Sequence, residues 1–350
     1  MGVLANVTLS TSPFLLTGIP GLEAQHCWFS ILFFSMYVVA IVGNTLILAA
    51  VRADSSLHEP MYLFLSMLAI TEVGVSVSTL PTVMGILWFD AREISLGGCL
   101  AQMFFIHTFS CMESGVLLAM SYDRYVAIYN PLRYTTILTL PRIVSMGLGI
   151  TLKSVAFMAP LPFLLQRLPF CHANVLSHSY CLHSDLIQLP CADTTMNSIL
   201  GLSVVLASFG LDSLLIVFSY ALILRTVLGI ASKEGRLKAL NTCASHICAV
   251  LLYYVPMIGV SVMHRAAKHA SPIAHTLMSS AYLFVPPVLN PIIYSVKTKP
   301  IHWKLLKLRE RSMCEGAGSK FLSPSFPAQD FYTWKTCSKT LSAAVRSEGD

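Results

Sequence analysis

The sequence predicts an all-α membrane protein, built as a seven-transmembrane helix bundle with the N-terminus outside and the C-terminus inside. Its composition is the first observation: 55% of the 350 residues are hydrophobic and only 11% are charged, whereas average soluble chains carry roughly 25% charged residues. The mean hydropathy of +0.68 agrees. The second observation is that hydrophobicity is continuous over stretches of about 20 residues, the length that crosses a bilayer, which excludes the alternating pattern of a barrel.

Seven stretches are long and apolar enough to cross the membrane. In chain order they are Trp28–Val51, Met61–Phe89, Cys99–Tyr122, Ile143–Leu165, Ile199–Leu224, Ala239–Met263 and Ser271–Val296. The second to fifth stretches each contain one aspartate, glutamate, lysine or arginine, in order Glu72, Glu113, Lys153 and Asp212. The predicted domains are therefore an extracellular N-terminus at 1–27, a transmembrane domain at 28–296, a juxtamembrane inner helix at 297–313 and a cytoplasmic, disordered tail at 314–350.

The distribution of basic residues is the third observation, and it sets the orientation. With the N-terminus outside, the inner loops and juxtamembrane tail hold Arg52, Arg124, Arg133, Arg142, Arg225, Lys233, Arg236, Lys238, Lys297, Lys299, Lys304, Lys307, Arg309 and Arg311, and the outer loops hold only Arg92, Arg167, Arg265 and Lys268. This asymmetry agrees with the positive-inside rule. The net charge of +6 therefore concerns orientation and anionic inner-leaflet lipid rather than nucleic acid. A glycosylation sequon at Asn6 also favours an outer N-terminus.

Four cysteines are expected on the outer side, where oxidation is permitted: Cys99, Cys171, Cys181 and Cys191. They allow three pairings, and the sequence alone does not choose among them. A bond between Cys99 and Cys181 would pin the long loop before the fifth span across the mouth of the bundle. His172, His178 and His183 lie near Cys181 and could form a metal site, although an oxidised cysteine would be a poor ligand.

Two carboxylates are predicted at similar depth near the middle of the membrane. Glu113 lies roughly 21 Å along its helix from Cys99, and Glu72 lies roughly 17 Å from Met61 on the inner side. If the two acids are close, they share a proton or a cation such as sodium, because both cannot ionise unpaired. The alternative is that each is neutral and hydrogen-bonded inside the bundle. Apart from this possible sodium ion, no cofactor is predicted.

Four further polar residues are candidates for function at membrane depth or at the rim. His107, about 12 Å below Cys99, faces the mouth of the bundle if the third helix is central; a packing role is the alternative. Arg265 emerges at the outer rim of the sixth helix, where it either snorkels to the headgroups or makes a charge-assisted contact with a carboxylate ligand. Asp212 and Lys153 are buried candidates without assigned partners.

An ordered set of motifs resembles the rhodopsin-like G-protein-coupled receptors, specifically the odorant-receptor branch, over nearly every span. The stretch MSYDRYVAIYNPLRY ends the third span, and the others are GNTLIL at Gly43–Leu48, PMYLFLSMLAITE at Pro60–Glu72, SYALILRTV at Ser219–Val227, KALNTCASHICAV at Lys238–Val250 and PPVLNPIIYSVKTK at Pro286–Lys299. The segments SHSYCLHSD at Ser177–Asp185 and IGVSVMHR at Ile258–Arg265 are similar to the fish-like, class I odorant receptors.

The resemblance implies a switch at the inner face and a heterotrimeric G protein as partner. In the family, the arginine matching Arg124 is held inactive by the neighbouring acid and is freed when the inner end of the sixth helix moves outward. The switch residues implied here are Asp123, Arg124, Tyr125, Tyr220, Lys238, His246, Asn290, Pro291 and Tyr294. The family pairing also implies the disulfides Cys99–Cys181 and Cys171–Cys191.

The resemblance further implies a small, hydrophilic odorant as ligand, often a carboxylic acid, and a stimulatory G protein that raises cyclic AMP. By position, the pocket is expected to be lined by Ile106, His107, Ser110, Cys111, Leu202, Ser261 and Arg265, under a lid carrying His183 and Ser184. The expected location is the plasma membrane, crossed several times, and no enzymatic activity is expected.

Two features depart from the family pattern. The inner helix begins KTKPIHW, with Pro300 and His302, and the tail from Cys314, a palmitoylation candidate, is longer than the family carries. The main alternative function is an ion- or proton-coupled transporter that uses Glu72, Glu113 and Asp212, although no internal repeat or pair of broken helices supports it. No metal pair, serine elbow or phosphate loop supports a membrane enzyme.

Overall fold

A computed structural model of the chain describes residues 13–18, 26–170, 174–266 and 272–297. The chain divides into two compact units, Met1–Ile293 and Tyr294–Asp350. In the second unit the described residues are Tyr294–Lys297, the last turn of the final helix. The expected glycosylation site at Asn6, the inner helix and tail beyond residue 297, and Cys171 with His172 all lie outside the described residues.

The described residues form eleven α-helices. They are α1 (His26–Ala53), α2 (Pro60–Phe89), α3 (Leu96–Tyr129), α4 (Tyr134–Ile137), α5 (Leu140–Met158), α6 (Pro160–Gln166), α7 (His183–Leu186), α8 (Thr195–Val205), α9 (Leu211–Leu228), α10 (Lys233–Ala266) and α11 (Pro272–Lys297). Short 3₁₀ turns occupy Ser55–Leu57 and Pro131–Arg133, and a π-helical turn, Leu206–Gly210, joins α8 to α9.

Within the described residues, seven helical segments are long and apolar enough to cross a membrane, which confirms the predicted fold class. They are Trp28–Ala53, Pro60–Phe89, Leu96–Tyr129, Leu140–Gln166, Thr195–Leu228, Lys233–Met263 and Ala274–Tyr294, called the first to seventh spans below. Several helices extend beyond the apolar stretches, since a helix continues into the interface until a cap or breaker ends it. The terms outer and inner follow the orientation set by the basic residues, with Cys99 on the outer side.

The ends and breaks of the helices follow from local chemistry. The Ser95 hydroxyl caps the third span by accepting a hydrogen bond from Gly98 N at 3.1 Å. Pro60 opens the second span at a position where its missing N–H costs nothing. The second span ends at Phe89, and the next residue, Asp90, has a left-handed φ of 51°. In the fourth span, Pro160 separates α5 from α6 because it cannot donate to the preceding turn.

The third span is the centre of the bundle. In the most apolar 18 residues of the third span, 67% of the residues are buried inside the protein. The corresponding share in the fourth span is 22%. Glycines allow neighbouring helices to approach it closely: a Cβ on Gly115 would lie 2.8 Å from Ile150, and one on Gly74 would lie 2.7 Å from Phe109. Side chains of the third span are therefore placed to contact several other spans at once.

A small β-sheet covers part of the outer side. Strand β1 (Phe14–Leu16) pairs antiparallel with β2 (Glu93–Ile94) and parallel with β3 (Val175–Leu176), so that the order is β2-β1-β3. Phe14 and Leu16 are buried whereas Leu15 is exposed, as expected for a strand that buries one face. The N-terminal segment thus connects the first and second outer loops, an arrangement that the sequence analysis did not predict.

Candidate functional site

A cavity of about 370 Å³ lies in the outer half of the bundle, beneath the loop that joins the fourth and fifth spans. Residues from the third, fifth, sixth and seventh spans and from this loop line it: His107, Leu182, His183, Ser184, Ile187, Gln188, Ser198, Gly201, Val205, Phe209, Met257, Val260, Ser261 and Tyr282. Its volume falls within the range of small-molecule sites, and its mostly apolar walls with a few polar groups are typical of them. We call it the outer cavity.

Four of the residues predicted for ligand contact line the outer cavity: His107, His183, Ser184 and Ser261. The remaining described ones lie elsewhere. Ile106 packs in a buried cluster with Phe33 and Tyr37, and Ser110 and Cys111 are buried outside the lining. Leu202 is 38% exposed, as a lipid-facing side chain is. The backbone of Arg265 lies in the last turn of α10, and its side chain is outside the described residues.

The differences follow from helix register. Ile106 and Leu202 each neighbour a lining residue, His107 and Gly201, and consecutive residues of a helix point about 100° apart. The fifth-span lining recurs at Ser198, Gly201, Val205 and Phe209, and the sixth-span lining at Met257, Val260 and Ser261. This spacing of three or four residues is visible in the sequence. It does not say which face of the helix meets the cavity.

The loop above the cavity is fixed to the bundle by a disulfide and by a glutamine. Cys99 and Cys181 are joined with their Cα atoms 5.5 Å apart, so the pairing implied by the resemblance is confirmed. Gln102 accepts a hydrogen bond from Cys181 N at 2.9 Å and donates to the Ser78 carbonyl at 3.0 Å. Cys191 is also disulfide-bonded. Together these bonds hold the lid residues over the third span.

A second set of contacts fixes the same loop to the seventh span. Tyr180 donates its hydroxyl to the Ser279 carbonyl at 2.9 Å, and His178 lies between the Ser279 hydroxyl at 3.3 Å and the Asp185 carboxylate at 3.5 Å. Burial, reinforced by the nearby Tyr282, raises the pKa of Tyr180 well above its usual value, so its hydroxyl stays protonated. The lid is therefore connected to both sides of the cavity.

Two contacts of the lid fix the two histidines that line the cavity. His183 N donates to His107 Nε2 at 3.4 Å, so a neutral His107 carries its proton on Nδ1 and can donate it. The ring of His183 packs against the fifth span at Gly201, where an added Cβ would lie 2.6 Å from its Cε1 atom. The position of His183 thus depends on that glycine.

Three hydroxyl groups form a hydrogen-bonded chain at the edge of the cavity. Tyr253 donates to the Ser110 carbonyl at 2.7 Å, so its oxygen accepts from the Ser110 hydroxyl at 3.0 Å. Ser110 Oγ then accepts from Tyr282, the lining residue, at 2.6 Å. The proton of Tyr282 is therefore used within the protein, and its oxygen is left to accept.

The two predicted carboxylates, Glu72 and Glu113, are both buried at mid-membrane depth. Asn290 Nδ2 donates to Glu72 Oε1, and Asn44 Nδ2 donates to the Pro287 carbonyl at 3.1 Å beside it. Among the described residues, Glu72 Oε2 and Glu113 Oε1 have no hydrogen-bond partner. The described part of the chain brings no three metal-ligating side chains together. Two spare carboxylate oxygens fit either a shared proton or a hard monovalent cation.

Asp212 and Lys153, the acid and base to which the sequence assigned no partners, bind each other. Lys153 Nζ lies 3.1 Å from Asp212 Oδ1 and 2.9 Å from Oδ2. Ser114 donates to Asp212 Oδ2 at 3.0 Å and contacts the Tyr254 hydroxyl at 2.8 Å. This arrangement connects the third, fourth, fifth and sixth spans.

The inner end of the third span carries a network centred on Asp123. Its carboxylate accepts from Arg124 Nε at 2.9 Å and from Arg124 Nη2, and it also accepts from the Tyr134 hydroxyl at 2.6 Å. Burial and this carboxylate raise the pKa of Tyr134, so its hydroxyl remains a donor. Arg124 is only 8% exposed.

A histidine joins the third, fifth and sixth spans nearby. His246 Nε2 lies 3.0 Å from the Leu117 carbonyl, which can only accept, so Nε2 carries the proton. His246 Nδ1 then accepts from the Tyr220 hydroxyl at 2.5 Å. We call Asp123, Arg124, Tyr134, Tyr220 and His246 the inner cluster.

The other predicted switch residues have separate surroundings. Tyr125 packs against the buried side chains of Ile223, Val227 and Cys243. Lys238 is exposed in the second turn of α10. Pro291 lies against Gly43 of the first span, where a Cβ would be 3.0 Å away. Tyr294 lies in the last turn of α11.

Comparison with known proteins gives consistent matches. The family model described as "Olfactory receptor" matches residues 33–311. The chain is 59% identical to human olfactory receptor 51I2 over 295 residues, covering 84% of this chain and 95% of that protein. It is 58% identical to human olfactory receptor 51G2 over 302 residues, covering 86% and 96%. The crystal structure of squid rhodopsin matches with a TM-score of 0.66 at 18% identity, covering 81% of this chain and 80% of that one, a likeness of fold.

Proposed function

Because the chain belongs to the olfactory receptor family, we propose that it binds a small hydrophilic odorant, favouring short- or medium-chain carboxylic acids, and raises cyclic AMP through a stimulatory olfactory-type G protein. Membership confirms the resemblance found in the sequence, and the class I branch fits the relatives. Olfactory receptors are multi-pass plasma-membrane proteins that couple odorant ligands to G proteins, and they are not enzymes.

The outer cavity is the observation that carries the ligand proposal. It is enclosed by the disulfide-fixed lid, and it combines two histidines and several hydroxyls with apolar side chains of the fifth and sixth spans. An alkyl group can pack against Val205, Phe209 and Val260, while a polar head group bonds to His107 or Ser261. Such a site orients a small amphipathic molecule with few polar contacts.

A carboxylate head group needs donors, and two residues supply them in this proposal. His107 can donate from Nδ1, because its Nε2 accepts from the lid backbone. Arg265, in the last turn of α10 above Ser261, would add a charge-assisted, bidentate contact. The Ser261 hydroxyl now donates to the Met257 carbonyl at 3.0 Å and would exchange that bond for one to the ligand.

Signalling requires that the ligand bind the active state more tightly than the inactive one. The cavity takes lining residues from the third span, the lid and the sixth span, so a ligand bridging them favours movement of the sixth span. At the inner end, Arg124 is bound by Asp123, and the sixth span is joined to the third through His246. We propose that outward movement of this end frees Arg124 for the G protein.

Cyclic AMP measurements in cells that express the full chain test the ligand class and the Arg265 contact together. We expect a panel of short- and medium-chain acids to contain an agonist, and Arg265→Ala to raise its EC50 by about 10-fold or more, the loss of a charge-assisted hydrogen bond of about 1.5–3 kcal/mol. Arg167→Ala, an exposed arginine at the end of the fourth span, is the matched control. Receptor at the surface is counted for each variant.

The outcomes separate the parts of the proposal. An unchanged EC50 in Arg265→Ala removes the anion contact, whereas silence toward every acid, at confirmed surface expression, contradicts the ligand class. A response that persists when the stimulatory G protein is deleted contradicts the coupling and favours a transporter, since a transporter needs no G protein.

We also propose that Glu72 and Glu113 hold a sodium ion, supported by their two spare oxygens at mid-membrane depth. Replacing external sodium by a bulky organic cation should then change agonist potency in the wild type and leave Glu113→Gln insensitive. Glu93→Gln, an exposed acid of the outer strand β2, is the control. Equal sodium dependence in wild type and Glu113→Gln would contradict the site.

A further inference from the structure

The lid contains a buried histidine that lies between the seventh span and the short lid helix α7. His178 is 1% exposed, and Asp185, which belongs to α7, is 8% exposed. His178 Nδ1 lies 3.3 Å from the Ser279 hydroxyl, and His178 Nε2 lies 3.5 Å from Asp185 Oδ2. The two nitrogens of one ring therefore contact two different elements of the outer side.

The hydrogen bonds of Ser279 decide which of these nitrogens carries a proton. Ser279 has one hydroxyl proton and donates it to the Thr276 carbonyl at 3.0 Å. Its oxygen can therefore only accept from His178, so Nδ1 is the donor in that contact. A neutral imidazole has one N–H group, and its Nε2 would then present a lone pair to the Asp185 carboxylate. Only the protonated ring donates to Ser279 and to Asp185 at the same time.

The other neutral arrangement of the ring also loses a hydrogen bond. A neutral His178 could carry its proton on Nε2 and donate to Asp185, but Ser279 would then have to turn its proton toward Nδ1 and give up Thr276. The protonated ring keeps all three bonds and adds the attraction of opposite charges, while burial opposes it by disfavouring the charged form. Histidine is the side chain that changes charge between about pH 5 and 8, so this contact is placed to respond to the pH of the outer medium.

The other titratable groups near His178 supply the controls. The ring of Tyr180 stacks on that of His178 with centroids 6.3 Å apart. Burial raises the pKa of Tyr180 well above its usual value, so this residue stays neutral across the same pH range. His275 lies one helical turn from Ser279 on the seventh span and is the histidine to compare with His178.

The contact with Asp185 spans the part of the lid that covers the outer cavity. Three cavity-lining residues, 182–184, lie between His178 and Asp185 in sequence, and two more, 187 and 188, follow directly. Tyr180 donates to the Ser279 carbonyl at 2.9 Å, a bond that does not change with pH in this range. The lid is thus joined to the seventh span by one bond that is independent of pH and by one contact that depends on it.

We propose that His178 and Asp185 are positioning residues that fix the lid over the outer cavity more firmly when His178 is protonated, so that ligands bind more tightly as the external pH falls. The stabilisation is present at low pH and is lost as the pH rises and His178 gives up its proton. Both residues act through the lining residues of the lid. The effect on ligand potency rests on the proposed function, whereas the effect on the lid does not.

Hydrogen–deuterium exchange of the purified full chain, without ligand, tests the lid directly. It is measured at about pH 6 and about pH 8, and each rate is divided by the chemical exchange rate at that pH. The amides of Asp185 and Leu186, which donate to the Leu182 carbonyl at 3.2 and 3.1 Å, should be about 5-fold better protected at the lower pH. His178→Gln should abolish this difference, and the matched control His275→Gln should keep it. Equal protection of the wild type at both pH values, or loss of the difference in His275→Gln, would overturn the proposal.

A serine variant separates the protonation argument from a merely structural role. Ser279→Ala removes the acceptor that holds the proton on Nδ1, so a neutral His178 can donate from Nε2 to Asp185 at either pH. Protection of the lid at the higher pH should therefore rise toward its value at the lower pH. Ser280→Ala, the neighbouring serine of the same span, is the matched control and should keep the wild-type difference. Weaker protection at both pH values in Ser279→Ala would contradict the proposal.

The EC50 of the most potent acid in the panel tests the consequence for the ligand at the same two pH values. Such an acid stays ionised at both, because ordinary carboxyl groups ionise near pH 4. The ratio of the two EC50 values should be about 5-fold smaller in Asp185→Asn than in the wild type, and adding His178→Gln should remove no more of it. Any ratio that remains belongs to other groups, such as His107 in the cavity.

The two measurements fail separately. Protection of the lid that depends on pH, with no response to any acid at confirmed surface expression, would support the role of His178 and contradict the proposed ligand class. A response to an acid with the same EC50 ratio in the wild type and Asp185→Asn would overturn the inference and leave the proposed function in place.

Discussion

The outer cavity and the inner cluster use similar residues for opposite purposes. In the outer cavity, Tyr282 and Ser261 donate to the protein and keep lone pairs at the lining, and His107 keeps a proton on Nδ1. In the inner cluster, the Asp123 carboxylate accepts from both Arg124 and Tyr134, and both nitrogens of His246 are bonded within the protein. In the proposed function, these free groups let the outer half accept a ligand, and the bonds of the inner cluster keep the inner half closed until the helices move.

This difference shows that the role of a polar group at membrane depth depends on its hydrogen-bond and ion-pair partners, and not only on the free energy that its burial costs. Arg124 and Asp212 are both buried charges, yet each is paired by a residue of the same bundle. Stability alone gives little reason for such pairs, because desolvation offsets much of their attraction. A pair whose two residues lie on different helices, or at a helix end, can instead be broken or formed when a helix moves.

We expect the largest effect at the inner cluster, when Asp123 is neutralised. If closure of the inner half does not depend on Asp123, the contrast between the outer cavity and the inner cluster fails. Asp123→Asn keeps an oxygen for the Tyr134 hydroxyl but removes the charge that binds Arg124. A hydrogen bond between charged groups is worth about 1.5–3 kcal/mol, so we expect basal cyclic AMP to rise by about 10-fold or more. Basal signal per surface receptor is the measurement, and the EC50 of an agonist should fall only to the extent that the closed state is destabilised.

Asp90→Asn is the matched control for this substitution. Asp90 is an exposed outer acid whose carboxylate binds Arg92 at 2.6 Å, and its left-handed backbone conformation suits asparagine. Exposed ion pairs contribute little, so the control should signal as the wild type does. A basal signal that is the same in Asp123→Asn and in the control would contradict the assignment of the inner cluster as the closing element.

The seven spans could be predicted from the sequence because each helix satisfies its own backbone in lipid, and an apolar run is therefore sufficient evidence. Motifs resembling odorant receptors supplied the Cys99–Cys181 bond and the inner residues. The partner of Lys153 could not be predicted, because 59 residues separate it from Asp212. Pairing across that separation depends on how the fourth and fifth spans are rotated.

Register explains the incomplete prediction of the cavity lining. Ile106 and His107 are adjacent in sequence, but Ile106 belongs to a buried hydrophobic cluster and His107 lines the cavity. The π-helical turn at Leu206–Gly210 adds a residue to the fifth span and shifts the face on which the residues after it lie. Strand β1 is only three residues long and pairs with two distant loops, so no local sequence pattern predicts it.

A smaller effect, at Gly201, sharpens the claim that the outer half is shaped to fit a ligand. A methyl group on Gly201 would lie 2.6 Å from His183 Cε1 and 3.0 Å from its Nδ1, so the ring must move. The ring lines the cavity, and overpacking of this kind costs typically 1–3 kcal/mol. We therefore expect Gly201→Ala to raise the EC50 of the best agonist about 10-fold, more for the longer acids of the panel, and to leave basal signalling unchanged.

Gly149→Ala provides the control, because the fourth-span Gly149 has nothing within 4 Å of its would-be Cβ. At Gly149, the same glycine-to-alanine change in a membrane helix should leave both the EC50 and the basal signal unchanged. If Gly201→Ala shifts potency equally for every acid, the His183 ring affects binding without limiting ligand size. If it raises basal signalling instead, the lid and the sixth span are coupled without a ligand, and the separation between an accepting outer half and a closing inner half fails.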